Sequence, residues 1–208
     1  MTTLVLLDTN TYLRLAKRVR PFVGLEFGQV PYLLAIHKVT EDEVHRSAHL
    51  KFKNPWFDGP EFAEERLAKQ VRLTKIEKAQ IEAAQSVLMG WVQMDVSRFT
   101  SFGRSPPGYA DCWLLAFGQV RPAVVVTDDL GMHELAKDFK DIKVWHGYEL
   151  LAKLNTAKVV DDALVRDIYE ALEANGDMTK TWEDAKHKIF KKIFGHEFSV
   201  EGIGQLLK

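Results

Sequence analysis

The sequence predicts an α/β fold with a central parallel sheet, followed by a helical C-terminal extension. Two short runs, Leu4–Leu7 and Ala123–Val126, are apolar throughout, as are strands buried on both faces of a sheet. Segments of helical periodicity alternate with apolar runs up to about residue 155, an order typical of parallel α/β sheets. Beyond Asn155 the alternation gives way to helical patterns. We therefore expect a domain over residues 1–155 and an extension over residues 156–208.

The first predicted strand ends at three polar residues, Asp8-Thr9-Asn10. Helical periodicity runs from Tyr12 to Val19, so the polar trio lies in the turn between a strand and a helix. This turn is at the carboxyl end of the strand, where open α/β sheets build their binding sites. Asp8 is therefore a candidate functional residue.

The second predicted strand is Tyr32–Ile36. Thr40 follows it, and Glu43 stands three residues later, which is the spacing of a capping box. The spacing predicts a helix that begins after Thr40 and carries Glu43 in its first turn. Glu43 is either a capping residue or a functional carboxylate, and Glu41 and Asp42 compete with it for the second role.

The middle of the chain is predicted to consist of loops and helices. Lys51–Pro60 contains Asn-Pro and Gly-Pro pairs and is predicted to be a loop. Helical patterns over Glu61–Val71 and Thr74–Trp91 predict a helical hairpin. Glycines and prolines mark Ser97–Gly108 as a second loop, and a helix is predicted to begin there and to cover Tyr109–Phe117.

Two further acidic segments lie at predicted element boundaries. Asp111 falls in the first turn of the helix just described, and the valine-rich strand Ala123–Val126 leads directly into Thr127–Asp129. Because the carboxyl ends of parallel strands meet at one edge of a sheet, we expect these acids to lie near Asp8.

The last predicted strand is Ile142–Trp145, reached through a helix to about Phe139 and followed by a helix over Gly147–Leu154. The extension contains two helical patterns, Asp161–Ala174 and Trp182–Phe194. In the second pattern, lysines alternate with isoleucine and phenylalanine. We expect its apolar face to pack on the main domain, with a partner surface or a nucleic-acid contact as alternatives.

Composition excludes several classes of protein. A hydrophobic fraction of 46% with 27% charged residues is that of a soluble globular protein, and the net charge of −1 means that a polyanion site would need a local basic patch. The single cysteine, Cys112, excludes an intramolecular disulfide and a multi-cysteine zinc site, so we interpret it as a small buried hydrophobe. The N-terminus lacks a signal-peptide pattern, and apolar runs stay well below the roughly 18 residues of a membrane span. These features predict a cytoplasmic protein.

The acids at the predicted strand ends and helix starts form one set, Asp8, Glu43, Asp111 and Asp129, with Asp128 as a rival to Asp129. Carboxylates brought close together repel one another unless a cation neutralises them. Mg²⁺ and Mn²⁺ prefer hard oxygen ligands, and such ions can activate water and stabilise charge on a phosphoryl group. The set therefore predicts a divalent-cation site.

The order and context of four short motifs resemble the PIN-domain nuclease family over roughly residues 3–154. These motifs are Leu6-Leu7-Asp8-Thr9-Asn10, Glu43-Val44-His45-Arg46, Ala110-Asp111-Cys112 and Val126-Thr127-Asp128-Asp129. The resemblance implies a three-layer α/β/α fold with a central parallel sheet.

The resemblance also implies roles for individual residues. Asp8, Glu43 and Asp111 would ligate Mg²⁺ or Mn²⁺, and Asp129 would be the fourth acid, because the family's last motif has Thr, a variable residue and then Asp. Two residues would support these carboxylates through hydrogen bonds: Asn10 at the first acid, and Thr127 at the fourth.

The activity implied by the resemblance is hydrolysis of a phosphodiester bond by an activated water, which leaves a 5′-phosphate and a 3′-hydroxyl. RNA is the expected substrate, with DNA as an alternative. Many small members of the family are toxins silenced by an antitoxin partner. This chain is longer than those toxins, so a stand-alone or processing ribonuclease remains a second interpretation, and we expect a homodimer.

Basic residues near the motifs are candidates for contacts to substrate phosphates, although a solvated helix face has the same pattern. We single out Arg14 and Lys17 after the first motif and Arg104 before Asp111. His45 and His49 have a spacing that can bind zinc on one helix face, but no third ligand is indicated, so we interpret them as surface residues.

Two other functions agree less well with the sequence than a nuclease does. A phosphatase of the haloacid dehalogenase type would need a second Asp two positions after Asp8, where this chain has Asn10, and a lysine after a later strand that we cannot place. A catalytically inactive PIN-like scaffold that binds RNA or protein is the remaining alternative, and the full set of four acids argues against it.

Overall fold

Five strands form one mixed, mostly parallel sheet in the computed structural model, which describes residues 2–100 and 105–195. In chain order they are β1 (Thr3–Leu7), β2 (Glu26–Phe27), β3 (Tyr32–Ala35), β4 (Ala123–Val126) and β5 (Lys143–Trp145). The order across the sheet is β2-β3-β1-β4-β5, and every neighbouring pair is parallel except β2 with β3. The predicted α/β class is therefore confirmed. The two-residue edge strand β2 is too short to leave a pattern in the sequence.

The described residues also form helices. In chain order they are α1 (Thr9–Leu15), α2 (Lys38–Arg46), α3 (Ala48–Lys53), α4 (Pro60–Lys69), α5 (Lys75–Met94), α6 (Val96–Phe99), α7 (Tyr109–Val120), α8 (Leu130–Ala136), α9 (Gly147–Thr156), α10 (Asp162–Ala174), α11 (Lys180–Lys188) and α12 (Lys191–Phe194), with a 3₁₀ turn at Pro55–Asp58. Across the described ranges, none of these helices combines the length and the apolar character needed to cross a membrane. The arrangement is consistent with a three-layer α/β/α fold.

The chain divides into two compact units, Met1–Gly147 and Tyr148–Lys208. The division falls after the first residue of α9, whereas the alternation of apolar and helical patterns predicts a domain boundary near the end of this helix. All five strands and the helices α1 to α8 belong to the first unit.

The centre of the sheet is apolar because β1 lies between β3 and β4. Val5, Leu6 and Leu7 are fully buried, and the four residues of β4 are buried as well. The parallel register places Leu7 opposite Val126, so the residues that follow the two strands emerge side by side. This register brings Asp8 next to Thr127.

Two long helices, α5 and α7, pack on each other in the main core cluster of the first unit. Ile81, Leu88 and Val92 of α5 are buried there, together with the apolar residues of α7. A Cβ atom added at Gly118 would lie 3.2 Å from Val125 Cγ2, so the glycine allows α7 to approach β4 closely. The packing fixes the N-terminal end of α7, where Asp111 lies.

The predicted start of α2 is wrong. The helix begins at Lys38, and the ring of His37 caps it by accepting a hydrogen bond from the Val39 N–H at 3.2 Å. Thr40 is buried and donates its hydroxyl to the Leu7 carbonyl at 3.3 Å instead. Glu43 therefore lies in the middle of the helix and makes no capping box.

The loop predicted over Lys51–Pro60 is also wrong in part. Ser47 ends α2 and caps α3 by accepting a hydrogen bond from Leu50 N–H, and the 3₁₀ turn follows. Because the helix breaks at Ser47, His45 and His49 belong to two different helices. The His45 ring lies 3.0 Å from Asp58 at the surface, and His49 is exposed, in line with their interpretation as surface residues.

Two phenylalanines of the basic segment pack on another helix of the second unit. The segment predicted as one helix over Trp182–Phe194 forms two, α11 and α12. Phe190 and Phe194 pack their rings against Tyr169 of α10, with ring centroids 5.5 and 5.1 Å away. The lysines of α12 are exposed.

Candidate acidic site at the strand ends

Four carboxylates lie at or near the carboxyl ends of β1 and β4, and we call them the acidic site: Asp8, Glu43, Asp111 and Asp129. Asp8 follows β1 and caps α1, and Asp129 follows β4 and caps α8. Asp111 lies in the first turn of α7, and Glu43 lies in the middle of α2.

Asp8 is the most deeply buried member, with 4% of its surface exposed. Its Oδ1 accepts a hydrogen bond from the Thr9 N–H at 2.6 Å, and its Oδ2 accepts one from the Thr127 hydroxyl at 3.0 Å. Burial, followed by the negative charges of Asp111 and Glu43, raises the pKa of Asp8 well above its usual range. The two hydrogen bonds oppose that rise. Burial and the neighbouring acids therefore oppose the ionisation of Asp8.

Glu43 is connected to Asp8 through Thr9. The fully buried Thr9 donates its hydroxyl to Glu43 Oε2 at 2.5 Å, while its backbone N–H serves Asp8. The other two acids of α2 have different partners. Glu41 accepts a hydrogen bond from the Arg66 guanidinium at 2.8 Å, and Asp42 lies 4.0 Å from Arg46.

Asp111 interacts electrostatically with every other member of the acidic site. Its Oδ2 accepts a hydrogen bond from the Gly108 N–H at 2.8 Å. Burial raises the pKa of Asp111 to about 6 against the effect of that hydrogen bond, and the charges of Asp129 and Glu43 add to the rise. Asp111 in turn raises the pKa of Asp8.

Asp128 and Asp129 have different environments despite being adjacent. Asp129 Oδ1 accepts a hydrogen bond from the Met132 N–H at 2.9 Å, and its charge acts on Asp111. Asp128 is buried, forms a salt bridge with Arg14 and accepts a hydrogen bond from the Gly147 N–H at 2.9 Å. The geometry thus groups Asp129 with the acidic site and joins Asp128 to an arginine.

The predicted supporting residues are placed differently from expectation. Asn10 is exposed, and the hydrogen bonds that Asp8 accepts come from Thr9 and Thr127. Thr127 supports the first acid rather than the fourth, because its hydroxyl donates to Asp8 and accepts from the Asp129 N–H at 3.1 Å. The sequence interpretation overlooked Thr9, whose signal was its position directly after the buried strand.

The three predicted phosphate-binding residues also differ from one another. The Arg14 side chain is 15% exposed and its guanidinium is engaged by Asp128, so it is not directed at solvent as a phosphate ligand would be. Lys17 is exposed on the turn after α1. Arg104 lies outside the described residues.

The donor chemistry of the acidic site fits a hard divalent cation, since all four groups are carboxylates. Burial, and after it the charges of neighbouring acids, raises the pKa values of Asp8 and Asp111. Within residues 2–100 and 105–195, however, no three acidic, histidine or cysteine side chains already form a group that could hold a metal ion. The carboxylates instead bind backbone amides and threonine hydroxyls. Coordination therefore requires these side chains to move closer together.

Cys112 follows Asp111 and is fully buried, as expected. Burial raises the pKa of its thiol to about 12, so the thiol is protonated and unreactive at neutral pH.

Comparison of the chain with protein-family models, with curated proteins and with solved structures gave no match.

Proposed function

We propose that the protein is a nuclease that depends on Mg²⁺ or Mn²⁺ and hydrolyses phosphodiester bonds in RNA. One observation carries this proposal. Four carboxylates lie near the ends of two adjacent parallel strands, and their hydrogen-bond donors in the described residues are neutral. Burial raises the pKa values of Asp8 and Asp111, and the charges of the neighbouring acids add to that rise. A set of carboxylates that lacks an internal countercharge favours an external cation.

The chain's own residues would have distinct tasks in this reaction. Asp8, Glu43, Asp111 and Asp129 would hold the cation, which when bound supplies an activated water and neutralises charge on the phosphoryl group. Thr9 orients Glu43 through its hydroxyl, and Thr127 orients Asp8. Because water is the nucleophile, no covalent intermediate with the protein is needed, and we expect 5′-phosphate and 3′-hydroxyl ends.

The test of this function is cleavage of labelled single-stranded RNA and DNA by the purified protein in Mn²⁺ or Mg²⁺. Asp8→Asn and Asp111→Asn remove charge from the acidic site and keep side chains of nearly the same shape. Asp58→Asn is the matched control, since Asp58 is an exposed aspartate that pairs with His45. Equal cleavage by the wild type and by the first two variants would overturn the proposal.

A second candidate function, an inactive scaffold that binds RNA or protein, is favoured by one observation. The described residues do not already form a three-ligand metal group. Calorimetric titration with Mn²⁺ separates the two functions: a nuclease binds the ion and loses binding in Asp111→Asn, whereas a scaffold shows no heat that depends on Asp111. The toxin role and an antitoxin partner belong to the first proposal, and a small overlapping upstream reading frame would support them.

A further inference from the structure

A groove of about 560 Å³ opens between α2 and the start of α7, beside the acidic site. Glu43 lines it, and Tyr109 and Ala110 line it immediately before Asp111 in the chain. The other lining residues are His37, Lys38, Val39, Asp42, Arg46, Ser47 and Trp113. A substrate bound at the acidic site would therefore extend into this groove.

One wall of the groove is built from two stacked rings. His37 lies on Trp113 with ring centroids 4.0 Å apart and planes inclined by 21°. The His37 ring is also held by its hydrogen bond from the Val39 N–H, so its orientation is fixed from two sides. Trp113 is 6% exposed, and burial lowers the pKa of His37 to about 4, which leaves the imidazole neutral at neutral pH. This wall is flat, aromatic and uncharged.

Tyr109 combines an exposed ring with an anchored backbone. Its side chain is 60% exposed although it is a large aromatic residue. Its carbonyl accepts a hydrogen bond from Gln85 Nε2 at 2.8 Å, and Gln85 is itself buried against α7 with 3% of its surface exposed. An exposed ring on a fixed backbone offers a flat surface on which a nucleobase can stack.

The rim of the groove carries two cations. Lys38 is exposed, and the side chain of Arg46 is 80% exposed with its nearest carboxylate, Asp42, 4.0 Å away. The carboxylates of Asp42 and Glu43 also line the groove. Because the side chains of Lys38 and Arg46 are exposed, both can reach a phosphodiester backbone, whose negative charge attracts lysine and arginine. An apolar peptide would leave these two cations without anionic partners, whereas the phosphates of a nucleic acid would pair with them.

We propose that this groove binds an unpaired nucleotide beside the scissile phosphate, with its base stacked on Tyr109 and its backbone contacted by Lys38 and Arg46. The proposal rests on the nuclease function proposed above. In a duplex the bases are already stacked and paired, so a base is not available to Tyr109. The groove would therefore restrict the protein to single-stranded segments of its substrate.

The test is fluorescence anisotropy with a labelled single-stranded RNA and with a duplex of the same sequence, in EDTA so that cleavage does not interfere. Tyr109→Ala should weaken binding of the single strand by roughly tenfold or more, because stacking on an aromatic side chain is worth about 1–3 kcal/mol per base. Tyr109→Phe keeps the ring and should bind within about twofold of wild type. Lys38→Ala should weaken binding several-fold and reduce its dependence on salt.

Phe52→Ala is the matched control, because Phe52 is an exposed aromatic residue that does not line the groove and is 88% exposed. The proposal would be overturned if Tyr109→Ala bound the single strand as tightly as the wild type does, or if the duplex bound as tightly as the single strand. Either result would leave a peptide as the alternative occupant of the groove. Loss of binding in Tyr109→Ala without any metal-dependent cleavage would support the groove and reject the nuclease. If cleavage requires Asp111 but Tyr109→Ala binds the single strand normally, the nuclease is supported and the groove is rejected.

Discussion

Two kinds of carboxylate lie close together in the first unit, and they differ in what balances their charge. Glu41 and Asp128 each have an arginine partner, Arg66 and Arg14 respectively. The four members of the acidic site have backbone amides and hydroxyls as their partners. Acids that are close together in the chain therefore differ in whether an arginine pairs with them. Glu41 stands two residues from Glu43, and Asp128 is adjacent to Asp129. We therefore expect the paired acids to stabilise the fold, and the others are the ones for which we propose cation binding.

The paired acids should show the largest effect, and it should be on stability. Arg66 is 2% exposed, and its guanidinium contacts Glu41, the Tyr12 hydroxyl and the face of Phe57. Arg66→Met removes the charge and leaves Glu41 without its arginine. We expect a loss of about 3–5 kcal/mol in the free energy of unfolding, measured by urea denaturation.

The double variant Glu41→Gln/Arg66→Met is the control for that experiment. It removes both charges, so it should recover part of the lost stability, because an unpaired buried charge costs more than the absence of the pair. An unchanged urea midpoint in Arg66→Met would show that the Glu41–Arg66 pair does not stabilise the fold.

Substitutions in the acidic site should lower the activity, whereas substitutions that break the paired acids should lower the stability. Asp111→Asn should lower the rate of RNA cleavage by roughly a hundredfold or more, the size of loss seen when one electrostatic contributor to a reaction is removed. The asparagine can still accept the hydrogen bond from Gly108, so the start of α7 stays capped. Initial rates at saturating Mn²⁺ and circular dichroism measure the two effects separately, and a parallel loss of fold and activity would contradict the distinction.

The pH dependence of stability should also separate the two kinds of acid. The pKa of Asp111 is raised from its ordinary value of 3.8 to about 6, so the folded state holds this proton more tightly than the unfolded state does. Its stabilising contribution is complete below pH 3.8 and is lost as the pH rises through about 6. In EDTA, the loss should be on the order of 3 kcal/mol, or a melting temperature lower by roughly 9 °C.

Asp111→Asn cannot ionise and should lose this pH dependence, so it should melt higher than wild type at pH 7.5 in EDTA. Mg²⁺ should raise the melting temperature of the wild type more at pH 7.5 than at pH 5, since a cation competes with the proton for the carboxylate. A melting temperature of the wild type that is flat between pH 4 and pH 7 would contradict the raised pKa.

Strands β1 and β4 were predicted better than the start of α2, and the reason is physical. The bounds of β4 follow from its continuous run of valines, and β1 was predicted within one residue, because burial on both faces leaves an apolar run. The start of α2 was misplaced because Thr40 has the residue type of a cap, but it is buried and bonds Leu7 in β1. Such a choice depends on tertiary contacts.

For the candidate site, too, local features could be predicted from the sequence and tertiary contacts could not. The acids could be proposed from their positions at strand ends and helix starts, and the resemblance favoured Asp129 over Asp128, but the pairing of Asp128 with the arginine of α1 could not be predicted. Arg14 is 114 residues away in the chain from this partner, so no local pattern reports the pair. Thr9 was overlooked for the same reason, since its hydroxyl acts on Glu43, 34 residues further along the chain.

The smallest expected effect concerns Thr9, which connects two members of the acidic site. Thr9→Val keeps the shape and the backbone N–H that Asp8 uses, but it removes the hydroxyl that donates to Glu43. Loss of one hydrogen bond to a charged group should cost about 1–2 kcal/mol of stability and, by freeing Glu43 from its position, lower cleavage by roughly tenfold. Thr9→Ser retains the hydroxyl and should restore most of the rate. If Thr9→Val and Thr9→Ser cleave RNA equally well, the hydroxyl does not position Glu43.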